Sequence, residues 1–393
     1  MTDVVDLGGF GERFREDPYP VYARLRARGP VHRVRLPEQD GGRQMWFVVG
    51  HEEARAALAD PRLAKDGTRI GFTSLDDELI GKHLLVADPP QHTRLRNLIT
   101  RAFTARRVEG LRPRIQQITD ELLDTMLPLG RADLIESFAY PLPITVICEL
   151  LGVPEIDRTE FRKISTDVVV PANPENLRDA FVRLADYLDD LIESKRGAPG
   201  TDLLSELIRT TAEDGDRLSP DELRGMAFVL LLAGHETTVN LITNAVRALL
   251  THPEQLAALR ADMSLLEGTV EEALRYEGPV ETATYRFAAE PLEIAGVEIA
   301  QGEWVLVGLA AADRDAGRFP GPDRFDIRRD TRGHVAFGHG IHHCLGAPLA
   351  RLEAGVALRS LLECAPDLAL DGQPGESLPG VLMRGVRSLP VRW

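Results

Sequence analysis

Between Ser219 and Pro253 nothing in the sequence obliges a helix to stop. Ser219 can cap the N-terminus, Pro220 suits the first helical position, and Glu222 completes a capping box. The spacing predicts one helix of about 32 residues, or ~48 Å at 1.5 Å per residue. A helix that long crosses an entire globular domain, so the remaining chain has to pack around it. Its most apolar run, Met226 to Gly234, is nine residues. A bilayer asks for ~20, so no segment reads as a membrane span.

Helical patterning dominates from about His92 to Leu266, with further helices at Pro20–Arg28, Glu52–Leu58 and Pro348 to about Leu362. Val31–Leu36 and Met45–Val49 read as a hairpin around Asp40-Gly41-Gly42, and Leu292–Ile294, Val297–Ile299 and Trp304–Leu309 as short strands. Pro61 to Pro90 is irregular. The 34 Gly and 26 Pro are spread along the whole chain, with no repeat and no Gly/Ser linker. The expected architecture is mainly α (α+β): one large domain over residues 1–393, a long central helix, and small β-sheets from the first and last quarters.

Lys plus Arg number 46 against 61 Asp plus Glu, a net charge of −15. That charge repels nucleic acid and anionic membrane alike, so neither is an expected partner. Three Cys in 393 residues fit a reducing compartment rather than a disulfide framework. The N-terminus shows no secretory pattern. The expectation is a cytoplasmic protein.

Four of the ten His fall in the run HVAFGHGIHHC, from His334 to Cys344. Cys148 and Cys364 read as small buried hydrophobes. Cys344 differs: Gly338, Gly340 and Gly346 let the backbone approach something closely, and a helix begins just after it, which favours a thiolate. Structural zinc fits poorly, because it takes separated ligand pairs and no second pair is evident. A nucleophilic Cys requires a base and an orienting partner, on which the spacing is silent. Covalent c-type haem requires Cys-x-x-Cys-His, which is absent. A thiolate axial ligand to haem iron requires one Cys on such a loop.

Phe337–Gly346 (FGHGIHHCLG) resembles the haem-ligand signature of the cytochrome P450 superfamily, and Ala347–Arg351 (APLAR) looks like its soluble bacterial members. In that family thiolate ligation favours O–O cleavage. The resemblance runs from about Asp17 to Trp393 and implies a b-type haem whose iron Cys344 binds, with Phe337 and Gly346 against it.

Ala233-Gly234-His235-Glu236-Thr237-Thr238 lies inside the long helix. An acid and two alcohols in a core helix are costly without partners. Thr237 can back-bond the Ala233 carbonyl and Gly234 leaves space, which together loosen the helix into a notch. Read alone, the segment is equally a Gly/Thr helix contact with Glu236 reaching solvent. It resembles the family's oxygen-activation motif, which implies Ala233 and Gly234 beside the haem and O2, with Glu236 and Thr237 delivering protons.

Glu272 and Arg275 have i,i+3 spacing, usually that of a surface pair, on a helix with a Ser264…Glu267 capping box. Glu271 lies i,i+4 to Arg275, so spacing does not choose the partner; the resemblance picks Glu272 for a structural role. His92 and Arg96 share a helical face and could grip an anion. The resemblance implies that they bind haem propionates, with Arg286 and His342 as further donors. Asp313-Arg314-Asp315-Ala316 departs from the more usual Asn-Arg-Asp-Pro.

By resemblance, Thr68–Val86 and Val280–Tyr285 line the substrate pocket, Val280 and Thr282 among them. Asp76, Asp77 and Glu78 form an acidic cluster able to hold a cationic amino sugar, or simply a solvated loop. AGHETTVNLI and RYEGPVETATYRF resemble actinobacterial macrolide hydroxylases of the pikromycin type. That implies hydroxylation or epoxidation of a bulky hydrophobic natural product, a macrolide or other polyketide. Gly338-x-Gly340 lacks the context of a dinucleotide site, so no bound flavin or nicotinamide is expected. Electrons then come from a ferredoxin and its reductase. Seven Arg against one acid between Arg94 and Arg114, including Arg101, Arg106, Arg107 and Arg112, make a docking patch for an acidic partner. The alternatives are a non-catalytic haem or zinc sensor, or a haem-thiolate oxidase of a steroid, terpene or fatty acid. A sensor has no use for the Glu236-Thr237 pair.

Overall fold

The computed structural model describes residues 4–37, 41–73, 75–154, 164–165, 167–168, 174–209 and 217–393. Two compact units emerge, each from discontinuous segments. Met1–Ala64, Arg114–Pro141 and Thr237–Trp393 make one; Lys65–Pro113 and Leu142–Glu236 make the other.

The first unit holds the β-structure found among the described residues. Its largest sheet has six strands in the order Val5–Asp6, Val31–Arg35, Gln44–Val48, Trp304–Val307, Arg286–Ala288, Leu63–Ala64. The expected hairpin is present, with Val31 opposite Val48. Gly41 and Gly42 take φ of 86° and 58° beyond its first strand; Asp40 lies outside the described residues. Trp304–Val307 runs parallel to Gln44–Val48 and antiparallel to Arg286–Ala288. Both faces of these central strands are buried. Trp46, Val48, Val305 and Val307 enter one apolar cluster, and Met45, Phe47, Val49 and Leu306 enter another. Two-sided burial is why Met45–Val49 is apolar throughout instead of alternating.

The long helix spans Pro220–Thr251, 32 residues. The capping box is reciprocal: the Glu222 N–H donates to Ser219 Oγ at 3.2 Å, and the Ser219 N–H to Glu222 Oε2 at 2.9 Å. The helix is α throughout Ala233–Thr238, so the motif does not break it. Against expectation, it is long and apolar enough to cross a membrane, yet 61% of its most apolar window is buried inside the protein. Other helices occupy Tyr19–Arg26, His51–Ala59 and Ala347–Cys364, close to their expected places. Two expectations are corrected. Asp262, not Ser264, caps the chain before the Leu266–Glu277 helix, accepting from the Ser264 N–H at 3.0 Å. Cys364 is exposed rather than buried, because it ends its helix; Cys148 is buried as expected.

Candidate active site

The Cys344 loop is held from several sides. The Val335 N–H donates to Asp313 Oδ1 at 2.8 Å, and the Cys344 N–H to the Phe337 carbonyl at 2.9 Å. Gly340 sits at φ 74°, and a Cβ there would lie 2.8 Å from the Leu58 carbonyl oxygen. Only glycine lets the loop press that closely on the end of the His51–Ala59 helix. A Cβ on Gly346 would stand 3.8 Å from the Cys344 sulfur. Cys344 is exposed on this tightly bonded loop, three residues before the start of the Ala347–Cys364 helix. Among the described residues no three His, Cys, Asp or Glu converge into a metal-binding group.

Glu272 and Arg275 form a fully buried bidentate pair, at 2.7 and 2.8 Å. Arg275 Nη1 also donates to the carbonyls of Asp313 and Pro322, each at 2.9 Å. This ties the Leu266–Glu277 helix to the segment that leads into the Cys344 loop. Glu271 turns elsewhere: it accepts from Arg351 Nε at 2.6 Å and lies 3.0 Å from His334 Nε2. Burial pushes the Glu271 carboxyl up, but Arg351 and His334 outweigh it and hold it at about 2. The Arg351 guanidinium lies 4.5 Å from the centroid of the Phe337 ring and within electrostatic reach of Cys344. Nothing local in the sequence signals this link, because Glu271 and Arg351 are 80 residues apart.

Arg286 is buried on its sheet strand, and His342 is half-buried beside Cys344. In the other unit, His92 is buried on the Gln91–Ala102 helix, with Arg96 one turn on. Burial, and then the Arg96 charge, lower the His92 pKa. The long helix has an opening in its buried surface: Ala233 is exposed, while Val229, Leu230, Glu236 and Thr237 are half-buried. These positions fall on one face at i, i+3 and i+4 spacing. Gly234 does something different. A Cβ there would meet Ile147 Cδ1 at 2.8 Å, so its missing side chain admits a neighbouring helix, while its neighbour Ala233 stays uncovered.

Val280 is half-buried and bridges to Met383; Thr282 is buried and donates to the Val381 carbonyl at 2.8 Å. In the acidic trio, Asp77 meets Lys82 at 3.1 Å and Glu78 meets Arg178 at 3.2 Å; the Asp76 side chain is not among those described. The arginine island is partly spent internally. Arg94 holds Glu222 at 2.7 Å, Arg107 pairs with Glu206, and Arg112 with Glu109 at 2.5 Å. Arg101 and Arg106 are exposed and make no ion pair among the described residues.

The first unit thus carries an exposed thiol on a glycine-rich loop, a buried arginine and a half-buried histidine; the second carries a buried His with an Arg one helical turn on. Comparison with known proteins shows the family. A family model described as Cytochrome P450 matches residues 11–152 and 162–364. The chain is 60% identical to cytochrome P450 monooxygenase PikC of Streptomyces venezuelae, over 99% of this chain and 94% of that protein. It is 47% identical to 6-deoxyerythronolide B hydroxylase of Saccharopolyspora erythraea, over 100% and 99%. The structure of the P450 monooxygenase TamI bound to tirandamycin C superposes with a TM-score of 0.89 at 44% identity, covering 99% of both chains.

Proposed function

From the premise that this chain belongs to the cytochrome P450 family and is a haem monooxygenase, we propose that it hydroxylates or epoxidises a macrolide or similarly bulky polyketide. The reading is carried by full-length similarity to relatives of which one is named for 6-deoxyerythronolide B and another is bound to tirandamycin C.

Cys344 would supply the thiolate that holds a haem iron. Arg286 and Arg96 would neutralise the carboxylates of a bound haem, and His342 and His92 would hydrogen-bond them. Haem, when bound, supplies O2 activation with two electrons delivered from outside. Glu236 and Thr237 stand on the open face of the long helix. Thr237 Oγ1 would hold a proton for the oxygen chemistry, and Glu236 would replace it from solvent. Val280, half-buried, contacts the substrate, whereas Thr282, buried and bonded to the Val381 carbonyl, holds that segment in place. Asp77 and Glu78 already hold Lys82 and Arg178, so an amino sugar competes with those cations, and the more exposed Glu78 meets it first. The electron donor is a ferredoxin with its reductase, docking on Arg101 and Arg106. No flavin or nicotinamide is bound, and the whole chain works as one cytoplasmic catalytic unit.

The test is spectroscopic. Reduced, CO-bound protein should show the red-shifted thiolate Soret band, and adding 6-deoxyerythronolide B should shift the Soret band of the ferric protein. A normal band without any shift from this or other macrolactones would refute the substrate class. Thr237→Ala should consume reductant without proportionate product; full coupling in that variant would remove Thr237 from the proton path.

A further inference from the structure

Asn244 lies two helical turns beyond Thr237 and is fully buried. Its Nδ2 donates to two carbonyls at once, those of Glu277 and Arg384, each at 3.0 Å. Arg384 is buried too and uses its whole fork. Nε donates to Glu277 Oε1 at 2.7 Å, Nη1 to the Arg15 carbonyl at 2.8 Å, and Nη2 to the Glu16 carbonyl at 2.6 Å. Glu277 also meets Arg247 at 3.1 Å. Tyr22 donates its hydroxyl to Glu281, whose other oxygen lies 3.8 Å from Arg384.

This buried cluster anchors two segments that are zipped by their backbones. The Arg384 N–H donates to the Pro279 carbonyl at 2.9 Å, and the Glu281 N–H to the Leu382 carbonyl at 2.9 Å. Val280 bridges Met383, and Thr282 holds Val381. Between these bonds Leu382 is 47% exposed, one of few large apolar side chains to be so. Tyr285 is exposed, and Val280 and Ala283 are only half-buried. The cluster therefore holds an apolar surface rigidly in the open, where its burial adds nothing to stability. Buried ion pairs add little net stability compared with apolar packing, and here the Arg384 fork is fixed on three separate acceptors. A surface that selects by shape needs its backbone held to within about 0.5 Å.

We propose that Arg384, locked by Glu277 and Asn244, is a specificity-positioning residue that sets the place of the Val280–Tyr285 and Val381–Met383 wall against bulky ligands. The proposal rests on the reading that Val280–Tyr285 lines the substrate cavity. Lysine cannot replace the arginine here, because one ammonium does not span Glu277 and two separate carbonyls in a fixed fork.

The experiment uses haem-loaded Arg384→Lys and Asn244→Leu and titrates each with two iron-binding probes. Imidazole is a small iron ligand; phenylimidazole adds the bulk that a cavity wall would meet. Binding is read from the Soret shift after the CO-bound thiolate band has been confirmed. Imidazole affinity should stay within about twofold of wild type, while phenylimidazole affinity should fall about tenfold in both variants, the scale of one lost apolar contact. Where Arg384→Lys fails to fold, Asn244→Leu carries the test. Equal changes for both probes, or no change for either, overturn the positioning role. Wild-type protein without the thiolate band overturns the haem reading itself, and this proposal with it.

Discussion

Two acid–base pairs in this chain share i,i+3 spacing and charge order and differ mainly in burial. Glu272–Arg275 closes at 2.7 Å with both side chains at 0% exposure; Glu109–Arg112 closes at 2.5 Å with 64% and 54%. Glu272→Gln keeps the shape and removes the charge. In the parent, Glu272 Oε1 accepts from Arg275 Nη2, the Asp326 N–H and Arg329 Nε, and Oε2 accepts from Arg275 Nε. The glutamine amide sets a donor against one of these donors, and Arg275 is left buried without a counter-charge. Breaking one side of a buried pair costs about 3–5 kcal/mol. That is a large part of the ~5–15 kcal/mol that holds a typical protein folded. Glu109→Gln should leave the unfolding midpoint unchanged within error, because water already solvates both of its groups. The assay is urea unfolding of haem-loaded protein followed by circular dichroism and tryptophan fluorescence, with the denaturant slope checked for constancy. A loss below about 1 kcal/mol for Glu272→Gln, or equal losses for both variants, would show that burial does not set the worth of this pair.

Further expectations follow from the loop and its neighbours. Gly340→Ala forces a side chain into φ 74° and against the Leu58 carbonyl, a strain of about 1–3 kcal/mol before any shift. Its thiolate CO band should shrink, whereas Gly355→Ala, with nothing within 4 Å, should keep the full band; equal bands would count against the close approach. Burial pushes the Asp313 carboxyl up to about 7, although His334 and the Val335 N–H pull it down. The folded state then keeps a proton that the unfolded chain has released, so this group's contribution falls as pH rises from about 4 to about 7. Asp313→Asn keeps an acceptor for Val335 and should flatten that decline in Tm; an unchanged slope would exclude Asp313 as its source. Arg106→Glu should slow reduction by ferredoxin, most at low salt; an unchanged rate at low salt would move the docking site elsewhere.

The chain sequence carried the Pro220–Thr251 helix almost entirely, because capping, proline placement and the absence of breakers act within a few residues. It carried the Val31–Val48 hairpin and the Gly-rich Cys344 loop for the same reason: turns and close approaches are written in Gly and in short-range pattern. The candidate site was proposed from a family motif matched residue by residue. Gly234 shows the limit of that reading, since in the structure it serves a helix contact with Ile147 while Ala233 provides the opening.

Only the tertiary structure decided who partners whom. Spacing offered Arg275 to both Glu271 and Glu272; folding buries one pair and sends Glu271 to Arg351, 80 residues away. It spends Arg94, Arg107 and Arg112 on internal acids and leaves Arg101 and Arg106 at the surface, though the run reads as one patch. It gathers Asn244, Glu277 and Arg384 from three distant segments into one buried cluster. The reason is physical. Backbone geometry is a local preference that short patterns report, whereas burial and charge pairing depend on what other parts of the chain bring to the same place.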